Sequence, residues 1–184
     1  MSKPLLLAAT LAALLTPARG FAAELSPTLK VGDQELVLNG SGAREKYFLD
    51  MYVAGLYLLE RNNQPATIIA ADGPMAIRIA ITSKLVSQEK LVESLSEGFE
   101  NSTQGHTEPV RAEIEEFRQA FAGEIVRGDV FDLVYLPNHG VLVFKNGKRA
   151  GVIEGLPFKQ ALFGIWLGDK PVDKVLKQAL LGSD

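Results

Sequence analysis

Residues 44–59 read REKYFLDMYVAGLYLL, and the reading of this stretch decides the fold. It is rich in aromatic and branched residues, and in its second half it is apolar at both parities. A strand that is apolar on both faces is covered on both, so Arg44 to Leu59 is read as a central strand. Arg44 opens it as the one residue whose charge demands an explanation. An arginine beside a buried surface is either a snorkelling surface residue or a recessed ligand for an anion, able to grip a carboxylate or phenolate with two N–H groups at once.

Working outward, Met75 to Ser83 alternates, with Met75, Ile77, Ile79 and Ile81 on one face and Ala76, Arg78, Ala80 and Thr82 on the other, which predicts a half-buried strand. Before the central stretch, Thr28 to Val31 and Glu35 to Leu38 are short strand candidates joined through Gly32-Asp33-Gln34, a hairpin that opens the domain. The glycines of Gly40-Ser41-Gly42 are read as permitting a sharp bend before the central strand. As a phosphate cradle the segment fails, since it has no following Lys-Ser/Thr and leads into a strand rather than a helix. Later in the chain, Val130 to Leu136, Gly140 to Lys145 and Lys148 to Ile153 form an antiparallel meander, its last turn marked by Asn146-Gly147.

Four helices are expected. Ser87 is a candidate N-cap for one whose Leu91, Leu95 and Phe99 recur every four residues. A second begins after Pro109 and places Val110, Ile114, Phe117 and Phe121 on one side. Phe158 to Trp166 and Val172 to Leu181 are the third and fourth, separated by Gly168-Asp169-Lys170-Pro171. Phe158, Phe163 and Trp166 are read as core on one helix face rather than as ligand contacts. Strands early and late with helices between and after define an α+β domain.

The N-terminus carries Lys3, an apolar run from Pro4 to Leu15 and then Gly20, Ala22 and Ala23. That is the order of a cleavable secretory signal, so residues 1–23 are expected to be a signal peptide and 24–184 a single domain. The run is about a dozen residues against the ~20 that span a bilayer as a helix, so no permanent span is expected in the mature chain. Of 19 basic residues, the loss of Lys3 and Arg19 leaves 17 against 22 acidic ones, a net charge of −5. A surface of that sign repels a phosphate backbone, and nucleic acid is excluded as a partner. There is no cysteine, which removes thiol nucleophiles, thiolate metal sites and disulfides together.

Generic chemistry is absent. His106 and His139 sit in expected loops without metal-ligand spacing, so no metal is expected and no cofactor either. No GxSxG elbow occurs, and Glu113, Glu115 and Glu116 read as a solvated helix face. Asn101-Ser102-Thr103 fits the N-glycosylation pattern and is taken as a chance match.

Three segments, LNGSGAREKYFLDMYVAGLYL at 38–58, FDLVYLPNHGVLVFKNGKRAGVIEG at 131–155 and FKQALFGIWLGDKPVDKVLKQALLG at 158–182, together are similar to the bacterial chalcone isomerase-like family. The resemblance spans Leu36 to Gly182. It implies an open-faced β-sandwich, a large antiparallel sheet covered by a layer of α-helices with a ligand cleft between them. In the plant enzymes of that superfamily an arginine engages the substrate phenolate and developing enolate while hydroxyl groups assist. Relatives without that activity include fatty-acid-binding proteins, in which an arginine and a tyrosine hold the carboxylate.

Carried over by position, the resemblance makes Arg44 the family's arginine after the Gly-x-Gly-x element. It places Tyr52 where the plant enzyme has a threonine. The enzyme's tyrosine and asparagine should fall near Val86 or Ser87 and near Ser94, where neither type occurs, and its C-terminal hydroxyl has no counterpart in Gly168 to Pro171. These departures argue against chalcone cyclisation. Along one extended strand Arg44 and Tyr52 would lie ~26 Å apart, whereas a bend or hairpin between Glu45 and Asp50 would bring them together.

The expected function is therefore non-catalytic binding of a small hydrophobic or amphipathic anion, fatty-acid-like, by Arg44 and Tyr52. The expected location is the periplasm, across the inner membrane. Two alternatives are carried: an isomerase of the intramolecular-lyase type in which Arg44 stabilises an enolate or phenolate, and a protein–protein interaction module of the envelope.

Overall fold

The computed structural model describes residues 25–182, and the expected signal segment lies outside them. Seven strands form one antiparallel sheet in which spatial order repeats chain order. They are β1 (Thr28–Val31), β2 (Gln34–Lys46), β3 (Leu49–Leu58), β4 (Met75–Ile81), β5 (Val130–Leu136), β6 (Gly140–Lys145) and β7 (Lys148–Ile153). The helices are α1 (Pro65–Ala70), α2 (Gln88–Ser102), α3 (Arg111–Gln119), α4 (Leu156–Leu167) and α5 (Lys174–Leu180). The expected α+β architecture, a large antiparallel sheet carrying a layer of helices, is what the chain adopts.

The main core forms where the alternating residues of the strands meet the apolar stripes of the helices. Ile77, Ile79 and Ile81 of β4 and Phe131 and Leu133 of β5 are buried against Leu91, Leu95 and Phe99 of α2, Phe117 of α3 and Phe158, Leu162 and Trp166 of α4. Five aromatic rings close its centre: Phe117 stands edge-on to Phe99 at 5.8 Å and to Phe121 at 4.9 Å, and Phe121 stacks on Phe131 at 4.9 Å. Phe158 completes the group 5.5 Å from Phe117. Such pairs contribute roughly 0.5–1.5 kcal/mol each beyond their area. Phe158, Phe163 and Trp166 are thus core, and the middle of the sheet-to-helix interface is filled. On the other face a smaller group, Val31, Leu36, Tyr57, Ala76 and Val134, surrounds the bidentate Arg78–Asp132 pair at 2.6 and 3.1 Å.

The central stretch differs from its sequence reading. Residues 44–59 do not run as one strand: the chain reverses at Tyr47-Phe48, so that Lys46 faces Leu49 and Arg44 faces Tyr52 across the β2–β3 ladder. Both turn residues have positive φ, 54° and 64°, as in a type I′ turn. Glycine or asparagine usually fills such positions, because a side chain there costs about 1–2 kcal/mol per residue. Neither residue is in the core; Tyr47 is 83% and Phe48 100% exposed.

Gly40-Ser41-Gly42 does not end a strand either. β2 continues through it with a bulge at Asn39, and neither glycine has positive φ. Their role is clearance: a Cβ on Gly40 would fall 2.1 Å from the Ala179 carbonyl oxygen, and one on Gly42 would fall 2.7 Å from the Ala179 Cβ. The glycines let α5 lie directly on β2. Beside them Asn39 is buried, donating to the carbonyls of Leu180 at 2.8 Å and Asn62 at 3.0 Å and accepting from the Asn62 N–H at 2.7 Å.

α1 was not anticipated from sequence. Its six residues carry no acidic N-terminal or basic C-terminal residue of their own. Its C-terminal end is capped from outside by Lys159 of α4, a fully buried lysine whose Nζ donates to the carbonyls of Ile68, Ile69 and Ala71 at 2.9, 2.8 and 2.7 Å. All three ammonium protons are used, and the head also sits 5.4 Å from the rings of Tyr135 and Phe163. Burial draws the lysine down to about 8, against an opposing pull from Asp72. The other helix starts follow sequence more closely: the Ser87 hydroxyl accepts from the Lys90 N–H at 3.3 Å, and Asp173 caps α5 through the N–H groups of Val175 and Leu176.

Candidate functional site

The reversal at Tyr47-Phe48 creates the site. It folds the β2–β3 ribbon back so that one side faces the start of α2, and a cavity of about 270 Å³ remains between them. β2 contributes Arg44 and Lys46, β3 contributes Leu49, Met51 and Tyr52, and α2 contributes Lys90, Leu91 and Ser94. Met51 and Tyr52 both line it although adjacent in sequence, because the register shifts between Arg44 and Glu45 and re-aims the strand. Two backbone bonds to the Met51 carbonyl, from the N–H groups of Thr82 and Ser83, hold that irregular segment in place.

Arg44 is half-buried in the wall. One terminal N–H donates to the Ser94 hydroxyl at 2.9 Å, and its guanidinium carbon lies 5.7 Å from the centre of the Tyr52 ring. Among the described residues no carboxylate is within ion-pair distance of it. Tyr52 is 3% exposed, and its hydroxyl accepts from the indole N–H of Trp166 at 3.0 Å. Burial pushes the Tyr52 phenol above its ordinary value, while the Arg44 charge and the Trp166 bond pull the other way. The phenol therefore keeps its proton at neutral pH. With Trp166 filling the acceptor side of the oxygen, that proton remains available as a donor.

The two residues singled out from sequence are thus neighbours across one ladder, not the ends of a long strand. Two further groups belong with them. Ser94 stands where the resemblance places the enzyme's asparagine, so its location was signalled and its hydroxyl's bond to Arg44 was not. Trp166 had no signal beyond its core spacing; its indole nitrogen serves Tyr52 from within the core. Val86 also borders the cavity, as a purely apolar wall. His139 lies in the β5–β6 turn, its ring nitrogen 3.0 Å from the Pro137 carbonyl, and His106 follows α2; neither is near the cavity.

Fold and site together define a class: an α+β protein with one antiparallel sheet, helices over its filled face and a cavity beside the turn end of a long hairpin. The profile of the chalcone isomerase-like family matches residues 20–182, and the chain belongs to that family. Among solved structures, it is similar to a fatty-acid binding protein of Arabidopsis thaliana, with a TM-score of 0.64 and 20% identity over 82% of this chain and 88% of that one. At that identity the likeness is one of fold. No curated protein matches the sequence. Among the described residues no helix is long and apolar enough to cross a membrane.

Proposed function

We propose that the protein is a non-catalytic binder of a small amphipathic anion, fatty-acid-like in chemistry, held between the β2–β3 hairpin and α2. The observation that carries this reading is Arg44: a half-buried guanidinium on the wall of a largely apolar cavity, anchored by a neutral hydroxyl and matched to no carboxylate among the described residues. A half-buried guanidinium that forms no ion pair, although Glu93 and Glu97 line the same cavity, is available to an anion from outside. A carboxylate beside it would accept from Arg44 and from the Tyr52 hydroxyl, while Leu49, Val86 and Leu91 flank the chain. At about 270 Å³ the cavity is near the lower edge of the ~300–1,000 Å³ of small-molecule sites, which favours a short chain or one whose tail extends out of the mouth. An interaction module with a closed core fits less well, since it would pair Arg44 internally.

The test is the affinity of purified protein for a medium-chain fatty acid, measured by calorimetry on the wild type and on Arg44→Gln. Loss of charge-assisted bonds predicts a roughly 10–100-fold weaker dissociation constant for the variant. Unchanged affinity in the variant, with no lipid extracted from wild type purified from its own host, removes the reading. The proposal extends to location: residues 1–23 direct export, and the mature chain works outside the cytoplasm, in a periplasm. N-terminal sequencing of protein from an envelope fraction should then start at Ala23 or Glu24. A chain starting at Met1 in the soluble cytoplasmic fraction contradicts it.

A further inference from the structure

The Tyr47 and Phe48 side chains belong to neither hydrophobic core. The two residues sit at positive φ, almost wholly exposed, at the outer end of the hairpin that carries Arg44. Leu49 and Leu85, 49% and 51% exposed, lie beside the same cavity mouth, so the apolar surface is continuous from the tip to the cavity. Backbone strain retained without a packing gain marks a position kept for another purpose.

Basic side chains stand beside the tip and the mouth. Lys46 and Lys90 border the mouth, and Lys84 is exposed next to Leu85. The acidic wall residues, Glu93 and Glu97, lie farther along α2, at and beyond the level of Ser94 and Arg44. Glu45 and Asp50 face each other across the ribbon, exposed and one rung behind the Lys46–Leu49 pair that flanks the tip, and Glu89 borders the neighbouring depression that Lys84 also lines. Exposed aromatic and aliphatic side chains with lysines beside them suit the boundary between headgroups and acyl chains, where tyrosine, phenylalanine and leucine insert and lysines meet lipid phosphates.

We propose that the Tyr47-Phe48 tip is an interfacial anchor that seats the mouth of the cavity on an anionic phospholipid bilayer. This goes beyond the anion-binding reading and rests on it only for the purpose of the contact, the transfer of an amphipathic anion between bilayer and cavity. The tip reaches the bilayer as a small wedge, so binding is weak and reversible.

The test uses the whole mature chain and vesicles of mixed phosphatidylcholine and phosphatidylglycerol, with partition read by flotation. The comparison variant is Tyr47→Asn/Phe48→Gly, which removes the aromatic wedge and installs the residues that a turn of this kind prefers. It should fold at least as stably as wild type, with an unchanged or higher Tm, and bind vesicles roughly tenfold less or weaker still. Wild type should also partition less onto vesicles of phosphatidylcholine alone. Wild-type affinity for a medium-chain fatty acid is read separately, without vesicles, so a wild type that floats yet binds no fatty acid loses the anion site and keeps the anchor. Equal partition of wild type and the double variant, or no partition of either, overturns the proposal. So does a wild-type dimer that the double substitution dissociates, since the tip would then belong to a second copy of the chain.

Discussion

Lys159→Met is expected to lower the stability of the protein by about 2–4 kcal/mol at pH 7, read as a drop of roughly 5–15 °C in Tm. The variant keeps most of the side-chain volume and removes only the ammonium head. What it leaves behind are three carbonyls at the end of α1, those of Ile68, Ile69 and Ala71, with their shared donor gone. An unsatisfied buried acceptor costs roughly 1–3 kcal/mol, and relief from burying a charge offsets part of the total.

The effect should depend on pH with a definite sign. The native lysine titrates at about 8 and the unfolded one near 10.4, so between those values the unfolded chain holds the extra proton. Unfolding then takes up a proton, and this contribution to stability rises as pH rises. Tyr135 acts oppositely: burial and its bond to Asp72 push its phenol up to about 12, so above about 10 the native state holds the extra proton and stability falls. The gap between wild type and Lys159→Met should therefore widen from pH 7 to pH 9.5 in urea titrations. A gap that stays constant or narrows would sink this account of Lys159.

Gly40→Ala is expected to cost about 3 kcal/mol. The added Cβ would meet backbone, at 2.1 Å from the Ala179 oxygen, 2.7 Å from the Leu180 oxygen and 2.9 Å from the Gly182 nitrogen. Backbone atoms cannot rotate aside as a side-chain end would, so α5 must lift from β2. Lifting it opens the contacts of Leu176 and Leu180, both buried, and strains the Asn39 bond to the Leu180 carbonyl. Ser41→Ala, at an exposed position between the two glycines, should change little and serves as the control. Thermal unfolding that leaves Gly40→Ala within a degree or two of wild type would show that α5 is not seated as described.

Where strands alternate and turns carry glycine or asparagine, the sequence was sufficient: β1, β4, β5, β6 and β7 lie where their patterns place them. It was insufficient at Tyr47-Phe48 for a physical reason. The turn is built from two residues that avoid its dihedral angles, and both are apolar, so nothing in the local pattern interrupts the strand reading. The glycines at 40 and 42 read locally as conformational freedom, whereas their use is to admit a helix from the far end of the chain, which no local rule detects. The same limit explains Trp166, whose indole nitrogen meets a tyrosine 114 residues away. Arg44 and Tyr52 were legible through the family resemblance, and their convergence waited on the turn.

The seating of α5 on β2 also bears on the order in which the molecule can form. Each strand pairs with its neighbour in sequence, so β1–β2–β3 and β5–β6–β7 can extend through short turns, while β4–β5 pairing closes over residues 82–129 with α2 and α3. The Asn39–Leu180 bond joins positions 141 residues apart and can form only after nearly the whole chain is available. A chain still being synthesised therefore keeps β2 uncovered, along with the glycine track that awaits α5. Covering of β2 by α5 follows synthesis of the C-terminal segment, and until then the nascent chain presents that face uncovered.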